Sequence, residues 1–273
     1  CAICLSAVSV TLAEQIDATD RAVLGVPYDG GVRVLAVVKG DGVPGAVIPG
    51  DALVPAPPVP EAGRALLLLH NAFADTWKTV GAVRPENAGW LRATAGAPPL
   101  EGDGEHAVVA GPALDARLAL AVPRFEDADP VVAEIANDQV ARAPYAALAG
   151  LEGKVDPAAL RAYVAAPGTG DRRPSYVLLL GVTGDASDAE AIEARLATAR
   201  RTADATDVAA LLAADMELRG PGRLPWVETT YLNDRRRALP EVEAALAALQ
   251  VQGEADVTIP RAAVVEVFRR FIR

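Results

Sequence analysis

From Asp115 onward the chain is a succession of short segments whose apolar residues recur at helical spacing, many opened by a proline and closed by a glycine. The stretch 129–148, DPVVAEIANDQVARAPYAAL, shows the pattern. A carboxylate precedes Pro130, an amphipathic run reaches Arg142, and Pro144 breaks it and starts another. Asp156-Pro157 and Leu239-Pro240 repeat the opening, placing proline in a first turn where its missing N–H costs nothing. The spacing predicts helices over 115–126, 130–142, 144–151, 156–165, 173–182, 187–202, 205–219, 223–233, 239–251 and 260–272, with stops at Gly150, Gly168, Gly181 or Gly184, and Gly220. A helix of about 10–15 residues cannot bury its apolar stripe alone. Stacking in pairs of about 30 residues does bury it, which is how an α-solenoid is built.

Before that region the apolar period is different. Leu5, Val8, Leu12 and Ile16 keep helical spacing, which puts CAIC (1–4) at the start of a short helix. From Arg21 the period becomes that of strands: 22–26, 32–38, 43–48, the continuous run 64–69 (RALLLL), and 77–83. Tyr28-Asp29-Gly30-Gly31 turns the first pair, and PAPPVP (55–60) is a stiff loop. A short helix over 85–93 closes the region. The prediction is an α+β chain: a small antiparallel sheet, open or barrel-like, in a domain over 1–94, a linker rich in Pro and Gly over 95–114, and a helical domain over 115–273.

Composition removes several classes of function. The net charge of −10 and pI near 4.8 oppose nucleic-acid binding, which needs a basic stripe to displace counterions. No apolar run approaches the roughly 18–20 residues of a membrane span. With aromatics at 4%, the core must come from Ala, Leu and Val.

The motifs are few. GDGVPG (40–45) matches a dinucleotide fingerprint, yet AVIPG (46–50) cannot form the helix that would carry the phosphates, so a turn is the better reading. Serines stand only at 6, 9, 175 and 187, outside any nucleophile elbow, and the helical region has no histidine to serve one. His70 closes an apolar strand, and His106 falls in the linker. The paired carboxylates, such as Asp127 with Asp129 and Asp185 with Asp188, sit where helix caps are needed.

Cys1 and Cys4 are the one constellation with chemistry of its own. A CxxC at a helix start favours a thiolate for disulfide exchange, and two thiolates suit a soft ion such as copper. If the chain enters an oxidising compartment, the pair is a disulfide candidate; if it is a lipoprotein, Cys1 carries the lipid anchor. Arg172, Arg173, Arg200, Arg201, Arg235, Arg236 and Arg237 all fall near helix ends. Aligned across stacked helices they would make a cationic strip for an anionic partner; the alternative is solvated helix C-termini.

ARAPYAAL (141–148) after DPVVAEIANDQV (129–140), together with CAIC (1–4) and VRVLAVVKGDG (32–42), resembles an uncharacterised exported bacterial family common in planctomycete-like genomes. Its members begin with a Cys-Pro-Phe-Cys-type motif, whereas this chain has no proline between its cysteines. The resemblance implies a HEAT-like α-solenoid and export to the periplasm or cell exterior, and it implies no activity. The expected function is therefore non-enzymatic: a helical-repeat surface that binds a protein partner as a scaffold. A thiol-disulfide or copper-handling role at Cys1 and Cys4 is the alternative.

Overall fold

ALLLLHN, the strand β4 (Ala65–Asn71), is buried from Ala65 to His70 and fixes the middle of a five-stranded sheet. The computed structural model describes residues 3–4, 10–98, 111–166 and 170–272. The chain falls into two compact units, Val8–Leu100 with Gly111–Val140, and Cys1–Ala7 with Glu101–Ala110 and Ala141–Arg273.

In the sheet-bearing unit, β1 (Ala22–Tyr28), β2 (Gly31–Lys39), β3 (Val47–Ile48), β4 and β5 (Thr76–Val83) pair antiparallel in the order β3-β2-β1-β4-β5. Alternation sends Ala65, Leu67 and Leu69 to one face and Leu66 and Leu68 to the other. The first face packs on Leu12 and Ile16 of α1 (Leu12–Ala18), Leu91 of α2 (Ala88–Ala95) and Ile135 of α4 (Pro130–Arg142). The second closes over Val23, Val34, Ile48 and Leu53. Cover on both sides explains why β4 reads as an unbroken apolar run.

The sheet is open. A single parallel bridge joins Leu53 to Trp77, with Val54 N–H donating to Trp77 O at 2.9 Å, and no ladder closes β3 onto β5. The barrel-like alternative is thereby set aside. GDGVPG itself turns at Pro44-Gly45 and leads through Ala46 into β3 rather than into an α-helix, so that match carries no phosphate site.

The N-terminal helix differs from expectation. It begins at Leu12, where Thr11 and Glu14 form a capping box: Glu14 N–H donates to Thr11 Oγ1 at 3.2 Å and Thr11 N–H to Glu14 Oε2 at 2.8 Å. Cys4 lies in a turn, so the CxxC does not stand at that helix's start. α3 (Pro112–Ala121) brings Arg117, only 2% exposed, to Asp17 of α1 at 2.9 Å.

The second unit contains α5 (Tyr145–Ala149), α6 (Pro157–Ala165), α7 (Arg173–Thr183), α8 (Ala186–Thr202), α9 (Val208–Arg219), α10 (Leu224–Val227), which runs into a π-helical turn at Glu228–Leu232, α11 (Leu239–Ala255) and α12 (Arg261–Phe271). Glycines end helices where the pattern placed them, at Gly150, Gly184 and Gly220; Gly168 lies outside the described residues. α9 packs on α7, α8 and α11 and is buried almost throughout. Alanines permit the close approach: a Cβ at Gly181 of α7 would fall 2.7 Å from Ala214 Cα of α9. The chain is thus mixed α+β, with an antiparallel sheet and a helical unit.

Candidate functional site

The end of β4 carries a cluster of polar side chains. His70 is paired into the ladder opposite Trp77, and its N–H donates to Arg21 O at 2.9 Å. Thr19, the C-cap of α1, donates its hydroxyl to His70 O at 2.8 Å and Arg21 O at 2.9 Å. Those bonds lock the backbone around an imidazole whose side chain is only 3% exposed.

Two carboxylates flank the ring. Asp20 Oδ1 lies 2.8 Å from Nδ1, and Asp75 Oδ1 lies 3.0 Å from Nε2. A carboxylate only accepts, so each contact is a hydrogen bond when that nitrogen carries its proton. Arg21 approaches the same ring and lies 3.5 Å from each of Asp20 and Asp75. The hydrogen bond to His70 is the main reason that Asp20's carboxyl titrates below its ordinary range. Trp77 completes the group, its ring centroid 4.9 Å from that of His70 and 5.3 Å from Arg21 Cζ.

A cleft of about 780 Å³ opens beside this cluster, lined by Val10, Gln15, Thr19, Asp20, Val54, His70, Asn71, Phe73, Thr76 and Lys78, among others. Phe73, at the tip of the β4–β5 hairpin, is fully exposed, and Val10 and Val54 are more than half exposed. Asn71 holds the tip in shape by accepting from the N–H groups of Phe73 and Ala74 at 3.1 and 3.3 Å. The site is therefore an apolar hollow with an organised polar end. Among the described residues its lining includes no serine or cysteine.

His70 was legible only as a strand end. Its partners stand on separate segments: Asp20 follows α1, and Asp75 belongs to the hairpin turn. No local spacing joins the first to the other two. His106, Ser6 and Ser9 lie outside the described residues.

Cys1 also lies outside them. Cys4 is a free thiol, buried against Ser175 of α7, and burial pushes the thiol up from its ordinary titration range. That environment favours the protonated, unreactive form. Among the described residues no group of three or more His, Cys, Asp or Glu is placed to hold a metal ion.

Most of the arginines near helix ends have local partners. Arg172 is the N-cap residue of α7, and Arg173, its first residue, pairs with Asp207 at 3.0 Å. Arg200 and Arg201 end α8; Arg201 donates to Thr198 at 3.0 Å, while Arg200 lies over Trp226 at 5.4 Å. Arg235 is exposed, Arg236 pairs with Asp234 at 3.1 Å, and Arg237 pairs with Glu241 at 3.0 Å. Of the set, Arg200 and Arg237 meet around Trp226 and Tyr231.

Comparison with family models, with curated proteins and with solved structures finds no match to this chain.

Proposed function

We propose that this chain is a non-enzymatic binding protein that takes a segment of a protein partner into the cleft beside His70. The observation carrying this reading is Phe73, a fully exposed aromatic ring on the wall of a largely apolar cleft, with Val10 and Val54 exposed beside it. Scattered surface apolar residues need no explanation, but three on one concavity make a docking patch. Asp75, 88% exposed, and Asp20, 47% exposed, favour a basic group on the incoming segment, as does the net charge of −10. The partner segment thus pairs an apolar side chain for the hollow with a basic one for its acidic end.

The helical unit serves this reading as a scaffold with HEAT-like stacking. Supporting it are the successive pairs α6 with α7, α8 with α9 and α11 with α12, and the packing of α7 on α9 and α9 on α11. Export to the periplasm or cell exterior, with or without a lipid on Cys1, belongs to the same proposal. The thiol or copper alternative draws no support from Cys4, whose sulfur is buried and whose thiol burial pushes above its ordinary titration range.

Selection of a displayed random-peptide library on the purified protein tests the proposal. Enriched peptides are expected to pair an apolar residue with a nearby Lys or Arg, and to bind Phe73→Ser at least about tenfold more weakly. Peptides without that pairing, or equal binding to a folded Phe73→Ser, would sink it.

A further inference from the structure

The partners of His70 suit two protonation states of one ring. Asp20 Oδ1 stands 2.8 Å from Nδ1 and Asp75 Oδ1 stands 3.0 Å from Nε2, and a carboxylate only accepts. Arg21 Nη2 stands 3.0 Å from the same Nδ1 and 2.5 Å from the same Nε2, and a guanidinium only donates. A neutral imidazole has one N–H and one lone pair, so it serves Arg21 and a single carboxylate. An imidazolium has two N–H groups, so it serves both carboxylates and leaves Arg21 to them, 3.5 Å from each.

The ring is held and the carboxylates are not. His70 is buried beside Trp77, its N–H donates to Arg21 O, and its carbonyl accepts from the Thr19 hydroxyl. Asp20 is 47% and Asp75 88% exposed. Asp20 lines the cleft, and Asp75 belongs to the hairpin whose residues 71–74 form part of the cleft wall. Lys78 of β5 also lines it and keeps its positive charge in either state. With a neutral ring, Asp20, Asp75 and Arg21 carry one net negative charge among them, and an imidazolium cancels it.

We propose that His70 is a pH-sensitive gate on the cleft, drawing both Asp20 and Asp75 onto the ring when protonated and so releasing a ligand's basic group. This rests on the peptide-binding function proposed above. Above the range in which imidazole charges, about pH 5 to 8, the ring holds one carboxylate and the other faces the ligand. Through that range the acidic end of the cleft is withdrawn as pH falls. Binding of a basic segment is therefore tightest at high pH and weakens on acidification, while Lys or Arg on the segment keeps its own charge.

The test is the affinity, from pH 8 to pH 5, of a selected cleft-binding peptide that contains Arg but no His, Asp or Glu and has blocked ends. Binding at least about fivefold weaker at pH 5 is expected, the effect of cancelling one charge a few ångströms away near the surface. His70→Gln should bind alike across the range. Equal binding by the parent at both ends, or full pH dependence in a folded His70→Gln, overturns the gate and leaves the binding function standing. No peptide binding at any pH overturns the function and the gate with it. Should His70→Gln fail to fold, NMR titration of the His70 ring in the ligand-free parent and in Asp75→Asn decides. The ring is expected to charge at lower pH in Asp75→Asn, which lacks one of the anions that favour the imidazolium. A ring that titrates identically in the two proteins, or keeps one charge state from pH 8 to 5, overturns the gate.

Discussion

Asp129 is a charge with no exposed surface. Its carboxylate accepts from Arg84 N–H at 2.7 Å and Asn87 Nδ2 at 3.1 Å, caps α4 through Val131 N–H at 3.3 Å, and faces Arg64 at 3.5 Å. One side chain thus ties the loop after β5 to the first turn of α4. Removing it strands several buried donors at once, so Asp129→Ala should lose about 3 kcal/mol in urea unfolding, and Asp129→Asn less. A loss below about 1 kcal/mol would mean that water replaces the carboxylate. The acidic residue before Pro130 announces a cap in the sequence, and a cap it is. The reach to Arg84 and Asn87, more than forty residues back, has no local sign. His70 makes the same point: its place at a strand end is written in ALLLLH, while Asp20 and Arg21 arrive through sheet pairing.

At the scale of elements, the period of apolar residues carries most of the information, because each strand and helix has an apolar face to bury. Strands β1, β2, β4 and β5 and helices α4, α6, α7 and α8 stand within a few residues of where that period puts them. It fails at the N-terminus, where helical spacing from Leu5 suggested a helix beginning at the cysteines. Thr11 and Glu14 start α1 instead, and the T-x-x-E signature was there to be read. Contacts between elements are less legible. Gly181 resembles a helix stop, yet it lies inside α7 and serves the crossing of α7 on α9. Gly→Ala within a helix ordinarily gains up to about 1 kcal/mol. Here the added Cβ meets Ala214 backbone at 2.7 Å, so Gly181→Ala should instead lose about 1–3 kcal/mol in urea unfolding. A gain would show that the two helices separate freely.

For the molecule as a whole, acidity and stability are linked through arginine and hydroxyl partners. Asp188 is held below the ordinary carboxylate range chiefly by Arg161, Glu193 by Arg223, Glu228 by Arg270, and Asp204 by Thr206. A carboxyl depressed on folding adds stability that is fully present above its unfolded pKa, near 4, and that is lost as pH falls through the folded value. The urea midpoint should therefore drop below about pH 4, and Arg161→Ala, which frees Asp188, should flatten that drop. Identical acid limbs for the two proteins would refute the linkage. Composition announces the excess of carboxylates, but which of them are depressed depends on partners such as Arg161 and Asp188, 27 positions apart.

The short β3 and the Leu53–Trp77 bridge also decide how this sheet meets other chains. One border offers two residues, and at Trp77 the other is already occupied by Leu53 and Val54. A sheet so bordered is a poor template for an added strand, whether from a ligand or from another copy of itself. Under the proposed function, recognition at the cleft would depend on side chains rather than on backbone pairing, which favours short, sequence-selective motifs over extended strands; the same borders guard the protein against polymerising through its own sheet.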